Sequence, residues 1–259
     1  MTQTTDSPAD PKAPVVDQSI LMDQIVLFGD SITQGSWIPG GTGSTMAIAY
    51  QRKLDIMNRG LSAVWALPVI KQWLPRAGER LPKIRMLTIW LGANDAALPP
   101  SPQHVSIPDF KANLVTILNL VRDPSSPYYS PETIPVLITP PPVDADTRNN
   151  ELASRNPPRV PDRDSERTRQ FAVAVKEVAT EQGVYCVDVW TAIDDKIKSG
   201  EGSMDKYLSD GLHLTADGYA VVTTEIAQLI IDHLPELHWD KLPQVFPHWA
   251  DYIPEEKRF

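Results

Sequence analysis

The chain has 259 residues, is 42% hydrophobic and 22% charged, and carries a formal net charge of −9 at pH 7. That is enough for one large domain with a full core, or at a stretch two small ones, and it excludes wholesale disorder and a membrane-spanning bundle; the negative charge argues against electrostatic attachment to nucleic acid or anionic lipid. The single cysteine, Cys186, excludes an intrachain disulfide and a multi-cysteine zinc site.

Residues 1–19 begin as a polar, proline-containing run, with neither the basic start and apolar stretch of a secretory signal nor the arginines of a transit peptide. They read as a disordered tail, and with one thiol in the chain they favour a cytoplasmic protein. Residues 20–259 read as a single domain. Short β-rich runs follow at 25–28 (stopped by Gly29), 54–58 (weaker), 84–91 (stopped by Gly92), 134–139 (stopped by Pro140-Pro141-Pro142) and 184–189. They look like strands buried on both faces. Helical periodicity falls between them, at 45–52, 108–121, 164–182 and 216–234. The second of these sets Phe110, Leu114, Ile117, Leu118 and Val121 on one face, and Gly183 sits where the third should stop. Alternating strands and helices predict an α/β fold, with a mostly parallel sheet between layers of helices. Residues 143–164, with Arg148, Asn149, Asn150, Arg155 and Asn156, read as a solvated loop and a candidate lid. The end of the chain, 235–259, carries Trp239, Phe246, Trp249 and Tyr252. It is expected to wrap the domain surface, cover a pocket or serve a homodimer contact.

Parallel sheets bind ligands at the carboxyl ends of their strands, so the chemistry is sought in the residues just after each run. Gly29-Asp30-Ser31 puts a serine at a strand-to-helix turn. Asn58-Arg59-Gly60 puts a glycine N–H after the second run, and Gly92-Ala93-Asn94 an amide side chain after the third. Asp210-Gly211-Leu212-His213 lies before the last helix, with a carboxylate placed to accept an imidazole Nδ1 proton and leave Nε2 as a base. Each has a plainer use alone: a helix cap, a turn glycine, an Asx turn, a chance pair. Together they make a set for acyl transfer, with nucleophile, base, orienter and oxyanion donors. His104, His233, His238 and His248 read as surface residues.

At these residues the sequence resembles the GDSL, or SGNH, hydrolase family. The matching blocks are Gly29-Asp30-Ser31, Gly60, Gly92-x-Asn94 and Asp210-x-x-His213. Phe28-Gly-Asp-Ser-Ile-Thr-Gln34, Asn58-Arg-Gly-Leu-Ser62, Gln103-His-Val105, Ile138-Thr-Pro-Pro-Pro142 and Leu208-Ser-Asp-Gly-Leu-His-Leu-Thr215 are most like its isoamyl acetate-hydrolysing esterase group. The resemblance implies a flavodoxin-like, three-layer α/β/α sandwich with a five-stranded sheet, and ester hydrolysis with neither metal nor cofactor. It implies Ser31 as nucleophile, His213 as base and Asp210 as its partner, with the Ser31 N–H, the Gly60 N–H and the Asn94 side chain as the oxyanion hole. One departure stands out. The Gly-Tyr-Asn-Thr stretch that usually follows Ser62 in this group is missing, which predicts altered or reduced activity.

The expected function is therefore a serine esterase forming an acyl-serine intermediate, with activity falling as pH drops through the ordinary imidazole range. No polybasic groove or sugar-binding aromatic array is evident, so the expected substrate is a small neutral carboxylic ester, with no nucleic acid or membrane partner. The alternatives are a lipase, lysophospholipase or carbohydrate deacetylase on the same fold, or a weakly active or non-catalytic homologue.

Overall fold

The computed structural model describes residues 21–60, 66–79 and 81–246. The expected N-terminal tail, the shortened segment at 61–65, and Trp249 and Tyr252 lie outside them. The five apolar runs form β1 (Gln24–Gly29), β2 (Asp55–Gly60), β3 (Ile84–Trp90), β4 (Ile134–Ile138) and β5 (Tyr185–Val187). They pair in the order β2-β1-β3-β4-β5, every pair parallel. Successive side chains leave opposite faces of a strand. Ile25 and Leu27 of β1 accordingly join one core cluster, and Val26 and Phe28 the other.

The short α1 (Ser31–Gly35) follows β1 directly. On the face of Ile25 and Leu27 lie α2 (Thr42–Ala49), α7 (Val189–Lys198) and α9 (Ala216–His233), packed through Met46, Ile193, Val222 and Ile226. On the face of Val26 and Phe28 lie α3 (Ala66–Ile70), α4 (Ile107–Arg122) and α6 (Ser165–Gln182), packed through Ile70, Phe110, Leu114 and Phe171. This is the α/β/α sandwich expected from the sequence. No helix among the described residues is long and apolar enough to cross a membrane.

Four expectations change in detail. The two edge strands are not buried on both faces: β2 begins exposed and is otherwise mostly half-buried, and Tyr185 of β5 is exposed, because an edge strand has a neighbour on one side only. The run at 184–189 pairs over only three residues, since the Asp188 carboxylate accepts the Thr191 N–H at 3.2 Å and starts α7. The helix expected at 45–52 starts three residues earlier, at Thr42. The polar connection at 143–164 is not simply a loop. It contains α5 (Ala145–Ser154), capped by Asp144 Oδ1 on the Thr147 N–H at 3.1 Å. Only Arg148 and Leu152 of this helix are buried, so it carries no apolar stripe to announce it.

Of the aromatic end, the described part packs on the connection between α2 and β2. The Tyr50 hydroxyl donates to Leu237 O at 2.7 Å, the Trp239 ring stands edge-on to Tyr50 at 6.4 Å, and the Val245 N–H donates to Arg52 O.

Candidate active site

Ser31 is the first residue of α1, at the carboxyl end of the central strand β1. The residue that caps α1 is Asp30, whose Oδ1 accepts the Ile32 N–H at 2.9 Å. The serine hydroxyl is thus free of capping, and it lies 3.0 Å from Nε2 of His213. A helix of five residues has little stability of its own. Here its carbonyls are held from both sides: the Asn58 side-chain amide donates to Thr33 O at 2.8 Å, and the Tyr219 hydroxyl of α9 donates to Ile32 O at 2.5 Å. Burial pushes the Tyr219 phenol up, which keeps that donor protonated.

His213 follows a turn that brings Asp210 beneath its ring. Asp210 Oδ1 accepts the backbone N–H of His213 at 2.8 Å and of Leu212 at 3.1 Å, while Oδ2 meets His213 Nδ1 at 2.8 Å. Partial burial raises the Asp210 carboxyl, but the bonds from His213 and the charges of His213 and Arg148 outweigh it and hold the group well below the usual carboxylate range. An ionised carboxylate can only accept. Nδ1 therefore carries the imidazole proton, and the lone pair of Nε2 faces the serine. Gly211 adopts a φ of +80°, and a Cβ there would stand 2.6 Å from Asp144 O and 2.7 Å from Arg148 N. Only glycine lets this turn sit against the start of α5. That contact sets the guanidinium of Arg148, a residue only 6% exposed, on Asp210 Oδ2, with Glu151 Oε2 as a second partner at 3.0 Å.

The three expected oxyanion donors differ in availability. The Ser31 N–H belongs to the first turn of α1, where no intrahelical acceptor exists. Asn94, 6% exposed, lines the same cavity as Ser31 and His213, and among the described residues its side chain has no hydrogen-bond partner. The Gly60 N–H is engaged, donating to Asn58 Oδ1 at 2.9 Å. Gly60 serves a second purpose: a Cβ on it would stand 2.1 Å from Gln34 N, so α1 can lie over the end of β2 only with glycine there. Behind the serine lie two buried carboxyls. Burial pushes Asp30 up to about 7, with the Asp95 charge adding to the rise against the Ile32 bond, and burial pushes Asp95 up to about 6.

A cavity of about 630 Å³ opens over Ser31, Asn94 and His213, within the range of small-molecule sites. Its wall holds Arg148, Arg155, Arg159 and Arg163, with Asp162 as the one carboxylate among the described lining residues. The expectation that the chain has no polybasic groove is therefore corrected: α5 and the turn after it fold four arginines onto one surface. Four arginines and no lysine in 148–163 of an acidic chain were the available signal. Sequence reasoning also missed Arg148 as a partner of Asp210, because nothing in the spacing of 148 and 210 announces their contact. None of residues 235–246 lines the cavity.

The sequence profile of the GDSL-like Lipase/Acylhydrolase family matches residues 27–221. A GDSL esterase/lipase of Arabidopsis thaliana is 36% identical, over 87% of this chain and 91% of its own length. The isoamyl acetate-hydrolyzing esterase 1 homologs of Bos taurus and Homo sapiens are 33% and 32% identical, each over 90% of this chain and 89% of its own length. Among solved structures, the lipase/acylhydrolase of Enterococcus faecalis shares the fold with a TM-score of 0.53 and 20% identity, over 87% of this chain and all of that one. A mutant of an acetyl-xylooligosaccharide esterase of Geobacillus shares it with a TM-score of 0.55 and 21% identity, over 82% and 95%. The chain is a carboxylic ester hydrolase and belongs to the GDSL-like lipase/acylhydrolase family.

Proposed function

We propose that the protein is a serine esterase that releases short acyl groups, acetate among them, through an acyl-serine intermediate. The observation that carries this reading is the 3.0 Å contact between Ser31 Oγ and His213 Nε2, with Asp210 on the far side of the ring. His213 Nε2 takes the Ser31 proton as Oγ attacks the ester carbonyl. The oxyanion is stabilised by the Ser31 N–H and the Asn94 side chain, with Gly60 contributing only if its N–H is shared with Asn58. The imidazolium returns its proton to the departing alcohol. A water then repeats the sequence and frees the acid. Asp210 keeps Nδ1 protonated and offsets the imidazolium charge. Cys186 is no rival nucleophile, because burial pushes its thiol up to about 12. The 33% identical relative is named for isoamyl acetate hydrolysis, which supports a small ester with a short acyl group. The arginine wall removes the ground for expecting a neutral substrate. The single thiol still favours an intracellular compartment.

A fluorophosphonate should label Ser31 in the folded protein, and Ser31→Ala should lower turnover of 4-nitrophenyl acetate by about 10⁴-fold or more. No adduct in folded protein, or a Ser31→Ala variant with wild-type turnover, would refute the assignment.

A further inference from the structure

We propose that the esters preferred by this site carry a fixed negative charge, a carboxylate or a phosphate, bound on the cavity wall by Arg159 with Arg155 beside it. The proposal rests on the esterase reading above and names its substrate class. Three of the four wall arginines are matched by acids. Arg148 is held by Asp210 and Glu151, Arg155 by both oxygens of Glu151 at 2.7 and 3.0 Å, and Arg163 by Asp162 and Gln103. The Arg159 side chain has no hydrogen-bond or ion-pair partner among the described residues, and Asp162, the one carboxylate among the described residues of the wall, is taken by Arg163.

Its place is fixed by the backbone. The Arg159 N–H donates to Leu152 O at 2.9 Å, and the turn beyond it is tied down by Asn149, which donates to Arg163 O and accepts from the N–H groups of Asp162 and Arg163. The backbone at Arg159 is thus held, and the guanidinium it carries can meet a carboxylate or phosphate through two parallel bonds, which an ammonium cannot do. An anion approaching a chain of net charge −9 is repelled overall. An unmatched arginine on the wall of the cavity that Ser31 lines reverses that repulsion where binding occurs.

The test compares acetate esters that differ in one charge: 4-acetoxybenzoate with its methyl ester, and 4-acetoxyphenyl phosphate with phenyl acetate. The carboxylate makes the phenol a poorer leaving group than its methyl ester does, so a preference for 4-acetoxybenzoate reports recognition and not intrinsic reactivity. At low ionic strength kcat/KM should favour the charged member of at least one pair by about tenfold, mainly through KM, and the larger preference identifies the anion. Added salt should shrink the preference. Arg159→Gln should bring it close to one, and Arg159→Lys should retain part of it. A ratio of one or below in both pairs, with neutral esters turned over and Ser31 labelled, overturns the inference and leaves the esterase standing. A preference that Arg159→Gln leaves intact overturns the assignment to this arginine. No turnover and no Ser31 adduct overturns the esterase reading beneath it.

Discussion

At the scale of single residues, the division of labour between neighbours decides what each can do. Because Asp30 takes the capping bond, Ser31 keeps its hydroxyl for His213; had the serine capped α1, its Oγ would be committed to a backbone N–H. Gly60 shows the same economy in another form. Its lack of a side chain lets Gln34 come close, and its N–H goes to Asn58. Gly60→Ala puts a methyl against backbone that cannot swing aside, so α1 must move. We expect kcat/KM for 4-nitrophenyl acetate to fall by about 10²-fold or more and stability to drop by about 2 kcal/mol, read by steady-state kinetics and urea unfolding. The sequence motifs named Ser31, Asn94, Asp210 and His213, because each follows a strand or precedes the last helix. They could not show that the Gly60 N–H donates to Asn58 or that Arg148 sits on Asp210. Those facts depend on side-chain directions that local spacing does not encode.

At the scale of elements, α1 is a single turn that could not persist in isolation, and it is clasped by β2 through Asn58 and by α9 through Tyr219. Tyr219→Phe removes one clasp and leaves the ring. The expected cost is about 1 kcal/mol in denaturant unfolding, with kcat lowered several-fold and KM little changed, since Ser31, the proposed nucleophile, loses position while the cavity wall stays intact. The long helices were legible because each buries an apolar stripe, as Phe110, Leu114, Ile117 and Val121 do in α4. The short α1 and α3 were not legible, since five residues cannot display a period, and α8 (Met204–Tyr207) has only four. The amphipathic signal failed for α5 because its buried face is an arginine and a leucine. That gap also hid the cationic wall, which is built largely from α5 and the turn beyond it.

At the scale of the whole molecule, the buried carboxyls make stability depend on pH. Asp30 moves from 3.8 to about 7 on folding, so the folded state holds the proton more tightly than the unfolded chain does. The resulting stabilisation is complete below about pH 4 and is lost as pH rises through 7. Asp30→Asn keeps the Oδ1 acceptor for Ile32 and removes the titration. The variant should match the wild type in Tm near pH 4 and exceed it at pH 8 by several degrees, a gain on the order of 3 kcal/mol, measured by thermal scans across that range. A constant difference across the range would show that Asp30 does not titrate between those limits. Order along the chain matters as well. Ser31 and His213 are 182 positions apart, and the hydroxyl that steadies α1 comes later still, from Tyr219. A polypeptide still emerging from the ribosome thus carries Ser31 for most of its synthesis without its partner His213. Under the proposed mechanism its chemistry switches on only when the final long helix arrives, so a nascent or C-terminally truncated fragment is expected to stay inert toward esters.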